Sequence, residues 1–541
     1  MTMILSLRPA SRRPASHLIW LALVAGLALP LGACDSNVLR AVVGGPTDPV
    51  GDMFATGYDH IDTVFIRSTP LSEVAFAGIE GLSVLDPRLA VAKREGKLAL
   101  LVDGKIVRLF DQPGANDADA WGSVTSQAVA KARDVSLPLR QASNEDVYEV
   151  VFDGMISQLD DFSRYASAKE ATENRASREG FGGIGVRIEV GESGARIISV
   201  MHYAPADQIG LRANDIIAEA DGRPLSGLTQ EQVIDILRGP IGSKLRLTVL
   251  RGEPAQRLPF LVVRAHVVPE TVTYRREGDV GYFRIYSFNL ETAESLRKEI
   301  VNAKREIGPG IKGYILDLRG NPGGLLDQAV AVSDLFLDDG RIVSTHGRHP
   351  DSHQYFEASD GDIGEGRPVV VLVNGNSASA SEIVASALQD DARAVVIGSN
   401  SYGKGTVQTV LRMPNDGELT LTWARFHAPS GYTLNHLGVL PTLCTDRMAA
   451  GNGAELVMET LRRNLIPALP TVARNATDPD DEAALSRLRA ACPASTEEHE
   501  ADIGLALRLI HQPSLFDRAL ALAVQPDIAA TSAATGAGAN P

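Results

Sequence analysis

The sequence predicts a multidomain α/β protein, and three observations carry that prediction. Residues 369–373 (VVVLV) and 394–398 (AVVIG) are continuous, apolar, β-branched runs, the pattern of strands buried on both faces of a sheet. Strand–loop–helix order then repeats: 313–318 (GYILDL) leads through RGNPGG into a helical stretch at 325–337, and 369–373 leads through NGNSASAS into SEIVASALQDD. Two such units imply a mainly parallel, helix-covered sheet. Separately, residues 180–265 string short strand-like runs between glycine-rich turns, a second, β-rich domain. With 541 residues the chain has room for three or four domains.

In chain order, Arg8, Arg12 and Arg13 precede an apolar stretch at 18–33 that ends in Leu31-Gly32-Ala33-Cys34. Basic residues, then an apolar run, then small residues make 1–33 a secretory signal. Residues 34–50 contain glycine and proline and read as a tether. Residues 51–179 read as mostly helical, apart from LALLVDGKIVRLF (98–110), a hairpin turning at Asp103-Gly104. AFAGIEGLSVLDPRL (75–89) faintly echoes VFDGMISQLDDFSRY (151–165), which is taken as chance. The β-rich domain at 180–265, the sheet-bearing core at 266–449 and a helical region at 450–527 follow. Residues 528–541 are low-complexity and read as a disordered tail.

The chemistry sits on two loops of the core. Ser379 lies in a small-residue loop just ahead of an apolar helix on which Ile383, Val384, Ala387 and Leu388 share a face, and Lys404, flanked by Gly403 and Gly405, follows 25 residues later. A serine hydroxyl is a poor nucleophile until a base takes its proton. A lysine serves only if burial penalises its ammonium form. The helix start offers the N–H of Ala380 to an oxyanion, and Gly323 and Gly324 of RGNPGG are candidates for the remaining donors. Gln408, one turn past Lys404, could orient the amine. The plain alternative is an N-cap built from Ser381 and Glu382. In open parallel sheets ligands bind beyond the carboxyl ends of the strands, where both special loops fall.

Composition removes other classes. A net charge of −15, with no basic stretch beyond the N-terminus, argues against nucleic-acid binding. HExxH and CxxC motifs are absent and the eleven histidines are scattered, so neither a metal nor another cofactor is expected. No GxSxG elbow is present, which argues against an α/β-hydrolase.

The string VLVNGNSASASEIVASALQDDARAVVIGSNSYGKGTVQ resembles the core of the carboxy-terminal processing (tail-specific) proteases. The resemblance covers roughly 145–445 and implies a crotonase/ClpP-like α/β protease core, preceded or interrupted by a PDZ domain and flanked by helical N- and C-terminal regions. It makes Ser379 the nucleophile, Lys404 the base, Gln408 the third member of a triad, and Asp390 a supporting carboxylate. The family's LRxNPGG loop is matched by residues 318–324. Gly182-Gly183-Ile184-Gly185-Val186, Ala204-Pro205-Ala206-Asp207, Asp215-Ile216-Ile217 and RGPIGSKLRLTVLRG resemble a PDZ domain. The resemblance implies that Gly183, Ile184, Gly185 and Val186 receive a peptide carboxylate opposite a helix at 229–237. Three departures stand out: Asn214 where the family has glycine, Leu159-Asp160-Asp161-Phe162-Ser163-Arg164-Tyr165-Ala166 for LDPHSxYL, and Gly438-Val439-Leu440-Pro441-Thr442 for GIxPD.

Cys34 after Leu31-Gly32-Ala33 resembles a bacterial lipobox, which implies a lipidated first residue and attachment to a membrane, with Asp35 favouring the inner one. In an oxidising periplasm Cys444 and Cys492 could pair. The expected protein is a lipid-anchored periplasmic serine endopeptidase acting on proteins or peptides with apolar C-termini, with room for an adaptor protein and for self-association. Two alternatives remain: an inactive PDZ scaffold that binds tails without cutting them, and a crotonase-like acyl-CoA enzyme, which export away from coenzyme A disfavours.

Overall fold

The structure, a computed structural model, describes residues 48–359, 361–446, 453–466, 474–475, 477–478 and 481–523. The expected signal (1–33), the lipidation site Cys34, nearly all of the tether and the tail at 528–541 lie outside the described residues. Packing divides the chain into two units, one of residues up to 167 with 409–421 and the other of 168–408 with residues from 422 onward.

In the first unit, helices α1 (Pro49–Val64), α2 (Leu71–Glu80), α3 (Ala118–Val135) and α4 (Asn144–Ile156) accompany an antiparallel sheet of β1 (Leu89–Arg94), β2 (Lys97–Val102) and β3 (Lys105–Asp111). The hairpin turns at Asp103 and Gly104, with φ of 49° and 72°. The echoing segments begin on α2 and α4, which approach so closely that a Cβ on Gly154 would sit 2.3 Å from the Ala77 carbonyl oxygen. The short β4 (Arg164–Ala166) completes this unit.

The second unit opens with α5 (Ala168–Glu179) and β5 (Phe181–Gly183), then a small sheet of β6 (Val186–Gly191), β7 (Gly194–Val200), β8 (Ile216–Ala220), β9 (Arg223–Pro224), β10 (Lys244–Arg251) and β11 (Gln256–Val263). Its main path runs β11–β10–β8–β7–β6, with α6 (Gln230–Leu237) packed across it. Thr229 caps α6 through a capping box with Gln232. Asn214 takes the left-handed conformation that glycine adopts most freely, at φ 71°. Strand β12 (Ala265–Val267) pairs back onto β5.

The larger sheet comprises β13 (Val272–Glu277), β14 (Val280–Ile285), β15 (Gly313–Asp317), β18 (Val369–Val373), β19 (Ala394–Gly398) and β22 (Leu443–Cys444), in that order. Only β13 runs antiparallel; the rest are parallel. Alternate residues divide between two apolar layers. Val369, Val371 and Val373 join Leu296 and Ile300 of α7 (Thr292–Ile307), Val332 of α8 (Leu326–Asp334) and Ile383 and Leu388 of α9 (Ala380–Asp390). Val370, Leu372, Val395 and Ile397 face Met458 of α10 (Gly453–Arg462), Leu509 of α12 (Glu500–Ile510) and Phe516 of α13 (Pro513–Ala521). Each fully buried Val or Leu contributes about 1.5–3 kcal/mol, so the apolar runs form strands because two helical layers cover them. The remaining elements are β16 (Arg341–His346), β17 (Gln354–Glu357), β20 (Thr406–Arg412), β21 (Glu418–His427) and α11 (Glu482–Arg489).

Two expectations need correction. The core expected at 266–449 is not continuous, because residues 409–421 pack with the first unit: Leu411, Met413, Leu419 and Leu421 complete its apolar cluster beside Tyr165 and Phe152. The helix after NGNSASAS is not one-faced either. Every residue from Ala380 to Gln389 is buried, including Glu382, Ser386 and Gln389.

Candidate active site

Parallel strands bring their carboxyl ends to one edge, so the loops after β15, β18 and β19 gather there. Two asparagines knit the first pair. Asn374 Oδ1 accepts from Gly320 N–H (2.9 Å) and Asn376 N–H (3.1 Å). The Asn321 carbonyl accepts from Ala378 N–H and Ser381 Oγ, both at 3.0 Å. Ser377 Oγ adds a bond of 2.8 Å to the Leu318 carbonyl.

Ser379 stands at the N-cap of α9 with φ 56° and ψ −114°, a conformation that costs a non-glycine residue about 1–3 kcal/mol. The alternative of an N-cap at Ser381 does not hold: that residue lies inside the helix, and its hydroxyl donates to the Asn321 carbonyl. Glycine at 323 is what lets the RGNPGG loop close on the serine. A Cβ there would meet Ala378 O at 2.7 Å, Ser379 Cβ at 2.8 Å and Ala380 N at 3.0 Å, at a φ of 100°.

The residue that sequence reasoning reduced to a capping partner, Glu382, is the hub. It is wholly buried. Its Oε2 accepts from Ser379 N–H (2.7 Å) and Lys404 N–H (3.0 Å), and its Oε1 from Ser401 Oγ (2.6 Å) and Gly403 N–H (2.7 Å). One oxygen therefore holds the serine and the lysine backbones within about two hydrogen-bond lengths of each other. Burial pushes the Glu382 carboxyl up from its ordinary value, while Ser401 and the three amides oppose that rise. A carboxylate three residues after the serine, the sole charged residue of the helix before Asp390, was the available signal.

Lys404 is partly buried, and its glycine neighbours serve close approach as expected. A Cβ on Gly405 would lie 2.0 Å from Asn435 N. Gln408 lies on strand β20, and its amide nitrogen donates to Thr406 Oγ1 (2.7 Å) and Thr422 Oγ1 (3.4 Å). Asp390 is not brought to this cluster. It sits at the opposite end of α9, accepts from Ser430 Oγ (2.6 Å) and pairs with the buried Arg474 at 3.1 Å, so it anchors the 430 loop. Among the expected oxyanion donors, Gly323 N–H is occupied by Asn321 Oδ1 at 2.8 Å. The N–H groups of Gly324 and Ala380 take no hydrogen-bond acceptor among the described residues. Ala380 is the first residue of the helix, where amides are unpaired and the dipole favours negative charge.

A charge network supports the floor of the site. Buried Asp317 accepts two bonds from the Arg319 side chain (2.9 and 2.7 Å) and one from Tyr282 (2.5 Å). Burial pushes its carboxyl up, but Arg319 and Tyr282 outweigh that and hold it below its ordinary value. Arg319 also reaches Asp502 of α12 at 3.1 Å.

A separate groove of about 660 Å³ runs between β6 and α6, lined by Gly183, Ile184, Gly185, Val186, Ile234 and Leu237. The four residues expected to receive a peptide carboxylate thus line one concavity. Among the described residues no cluster of His, Cys, Asp or Glu is arranged to hold a metal ion.

Comparison with known proteins places this geometry in a family. Residues 279–444 match the model of peptidase family S41, and 173–250 that of the PDZ domain. The chain is 40% identical over 306 residues to the carboxy-terminal-processing protease of Bartonella bacilliformis, covering 56% of this chain and 70% of that one. It is 33% identical over 308 residues to a probable CtpA-like serine protease of Staphylococcus saprophyticus, covering 56% of this chain and 61% of the relative. Among solved structures, the photosystem II D1 C-terminal processing protease aligns with a TM-score of 0.37 and 22% identity, over 73% of this chain and 93% of that chain. The chain belongs to the carboxy-terminal-processing proteases of peptidase family S41, serine-type peptidases, and carries a PDZ domain.

Proposed function

We propose that this peptidase cuts protein substrates near their C-termini by a Ser379–Lys404 mechanism, after its PDZ groove has captured an apolar tail. The observation that carries the reading is the shared Glu382 oxygen, which ties the nucleophile and the base to one point. Lys404, neutral at the moment of attack, takes the Ser379 proton as Oγ adds to the substrate carbonyl. The N–H groups of Ala380 and Gly324 face the oxyanion. The lysine then gives its proton to the leaving amine, and water, deprotonated by the same lysine, releases the acyl group from Ser379. Gln408, fixed by Thr406 and Thr422, orients the amine in this scheme.

The groove beside Gly183–Val186 supports tail recognition: its apolar wall from Ile234 and Leu237 suits an apolar terminal side chain, and β6, the edge strand of its sheet among the described residues, is placed to accept an added peptide strand. The basic N-terminus, the apolar run at 18–33 and Cys34 support export and lipid anchoring in the periplasm, with Asp35 favouring the inner membrane.

The test is cleavage of an unstructured protein with an apolar C-terminus by wild type, Ser379→Ala and Lys404→Ala across pH. Cleavage by wild type alone, rising with pH, is expected. Cleavage by either variant at the wild-type rate contradicts the assignment. Tail binding without cleavage by any form favours the scaffold alternative.

A further inference from the structure

Beyond the segment matched to the peptidase family, the chain returns to the catalytic loops. Arg489, the last residue of α11, sends its guanidinium away from its own helix and into the lysine loop. Nη1 donates to the carbonyls of Leu437 (2.9 Å), His436 (3.2 Å) and Tyr402 (3.3 Å), and Nη2 donates to that of Ser401 (3.2 Å). Among the described residues all its hydrogen-bond partners are carbonyls, and no carboxylate pairs with it. Such a cation is costly to desolvate unless its donors are used, and here they are used on two adjoining segments, 401–402 of the lysine loop and 436–437, which itself donates from His436 N–H to the Gly403 carbonyl (2.9 Å). Gly403 makes room for it: a Cβ there would sit 3.0 Å from Arg489 Nη1.

Residues 401–404 therefore lie between two opposite charges. Glu382 takes the N–H groups of Gly403 and Lys404 and the Ser401 hydroxyl, while Arg489 takes the carbonyls of Ser401 and Tyr402 and ties them to those of His436 and Leu437. Three residues beyond Arg489, buried Cys492 is disulfide-bonded to Cys444 at the end of β22. The same stretch then touches the other two catalytic loops. The Ser495 carbonyl accepts from Gly375 N–H (2.6 Å), the Thr496 carbonyl from Asn374 Nδ2 (3.2 Å), and Asp502 pairs with Arg319.

We propose that Arg489 is a positioning residue for Lys404, and that the Cys444–Cys492 bond holds it in place, so that peptidase activity depends on this disulfide. The proposal rests on the reading of Lys404 as the base. A guanidinium bridging two carbonyls of the lysine loop to two of the 436–437 segment fixes the loop in a way that one ammonium cannot reproduce. An error of about 1 Å in the base costs about 10²-fold in rate, so the device acts on turnover and leaves tail capture in the groove unchanged.

The experiment follows hydrolysis of an unstructured protein with an apolar C-terminus by wild type, Arg489→Ala, Arg489→Lys, Cys444→Ser/Cys492→Ser and Lys404→Ala. For each form kcat, KM, the pH at half-maximal rate and amide hydrogen exchange at 401–405 are read. The proposal expects kcat to fall about 10–100-fold in Arg489→Ala, with KM retained, a displaced pH midpoint and faster exchange at 401–405. Arg489→Lys recovers only part of the loss. Dithiothreitol lowers wild-type kcat reversibly, and the double-serine variant is already low and insensitive to thiol. Wild-type kcat and pH midpoint in both Arg489 variants overturn the proposal, as does a fully active reduced enzyme, provided Lys404→Ala is inactive. Activity in Lys404→Ala instead overturns the underlying reading. If Arg489→Ala does not fold, Arg489→Lys and reversible reduction of wild type decide the matter.

Discussion

Glutamine at 382 is the sharpest perturbation of the site, because it keeps shape and removes one acceptor oxygen. Glu382 receives four hydrogen bonds, two on each oxygen. A glutamine must turn its NH2 toward one of these pairs. Facing Ser379 and Lys404, it would strand two amide donors. Facing Ser401 and Gly403, it strands one amide, that of Gly403, and turns the Ser401 hydroxyl, which also accepts from Val439 N–H (2.7 Å), into its acceptor. The second orientation wins, and one orphaned buried donor costs about 1–3 kcal/mol. Urea unfolding of Glu382→Gln should therefore show a lower midpoint with an unchanged slope. Turnover should fall as Gly403 recoils and carries Lys404 with it, about 10²-fold for a shift of about 1 Å. Glu382→Ala strands three amides at once and should cost roughly 3 kcal/mol or more. A glutamine variant with wild-type midpoint and kcat would refute this reasoning, because it would mean that a neutral, donor-bearing group already serves at 382.

Other outcomes follow from the same geometry. Gly323→Ala should lose activity and about 2–4 kcal/mol of stability, combining a positive φ with overlap against Ser379; wild-type kcat and unfolding midpoint would contradict the close packing. Ile234→Ser should raise KM for an apolar-tailed substrate about 5–20-fold with kcat retained, as read from steady-state kinetics, since part of the groove's aliphatic wall is lost. Asp391, at the carboxyl end of α9 beside Asp390 and Asp339, has its carboxyl pushed up to about 6, first by burial and then by those two carboxylates. With the folded value above the unfolded one, protonation stabilises the fold, and that contribution is lost as pH rises from about 4 to about 6. Asp391→Asn should abolish that slope and add about 1 kcal/mol at pH 7 in thermal unfolding, a figure discounted for the exposure of the side chain.

The loops of the candidate site were legible in the sequence because their signals are local. The runs 369–373 and 394–398 are strands at the expected positions, and small residues at 377–381 and glycines at 403 and 405 mark where backbones must touch. The groove was legible because turn glycines and alternating apolar residues are also short-range. What escaped depends on distant partners. Residues 409–421 carry apolar side chains that fit either unit, and only Tyr165 and its neighbours decide which. Asp390 sits on the helix that Ser379 opens, yet 11 residues at about 1.5 Å each carry it well away from Ser379. Arg489 looks like an ordinary basic residue closing a short helix, and its targets lie 52 to 88 residues upstream.

The central claim, that Ser379 is acylated with Lys404 as its base, is tested most directly by rapid-quench mass spectrometry of the enzyme mixed with an excess of apolar-tailed substrate. The account predicts a transient acyl adduct on the peptide bearing Ser379, absent in Ser379→Ala and formed about 10²–10⁴-fold more slowly in Lys404→Ala. An adduct on another residue, or one that forms on Ser379 at the wild-type rate without Lys404, would contradict it.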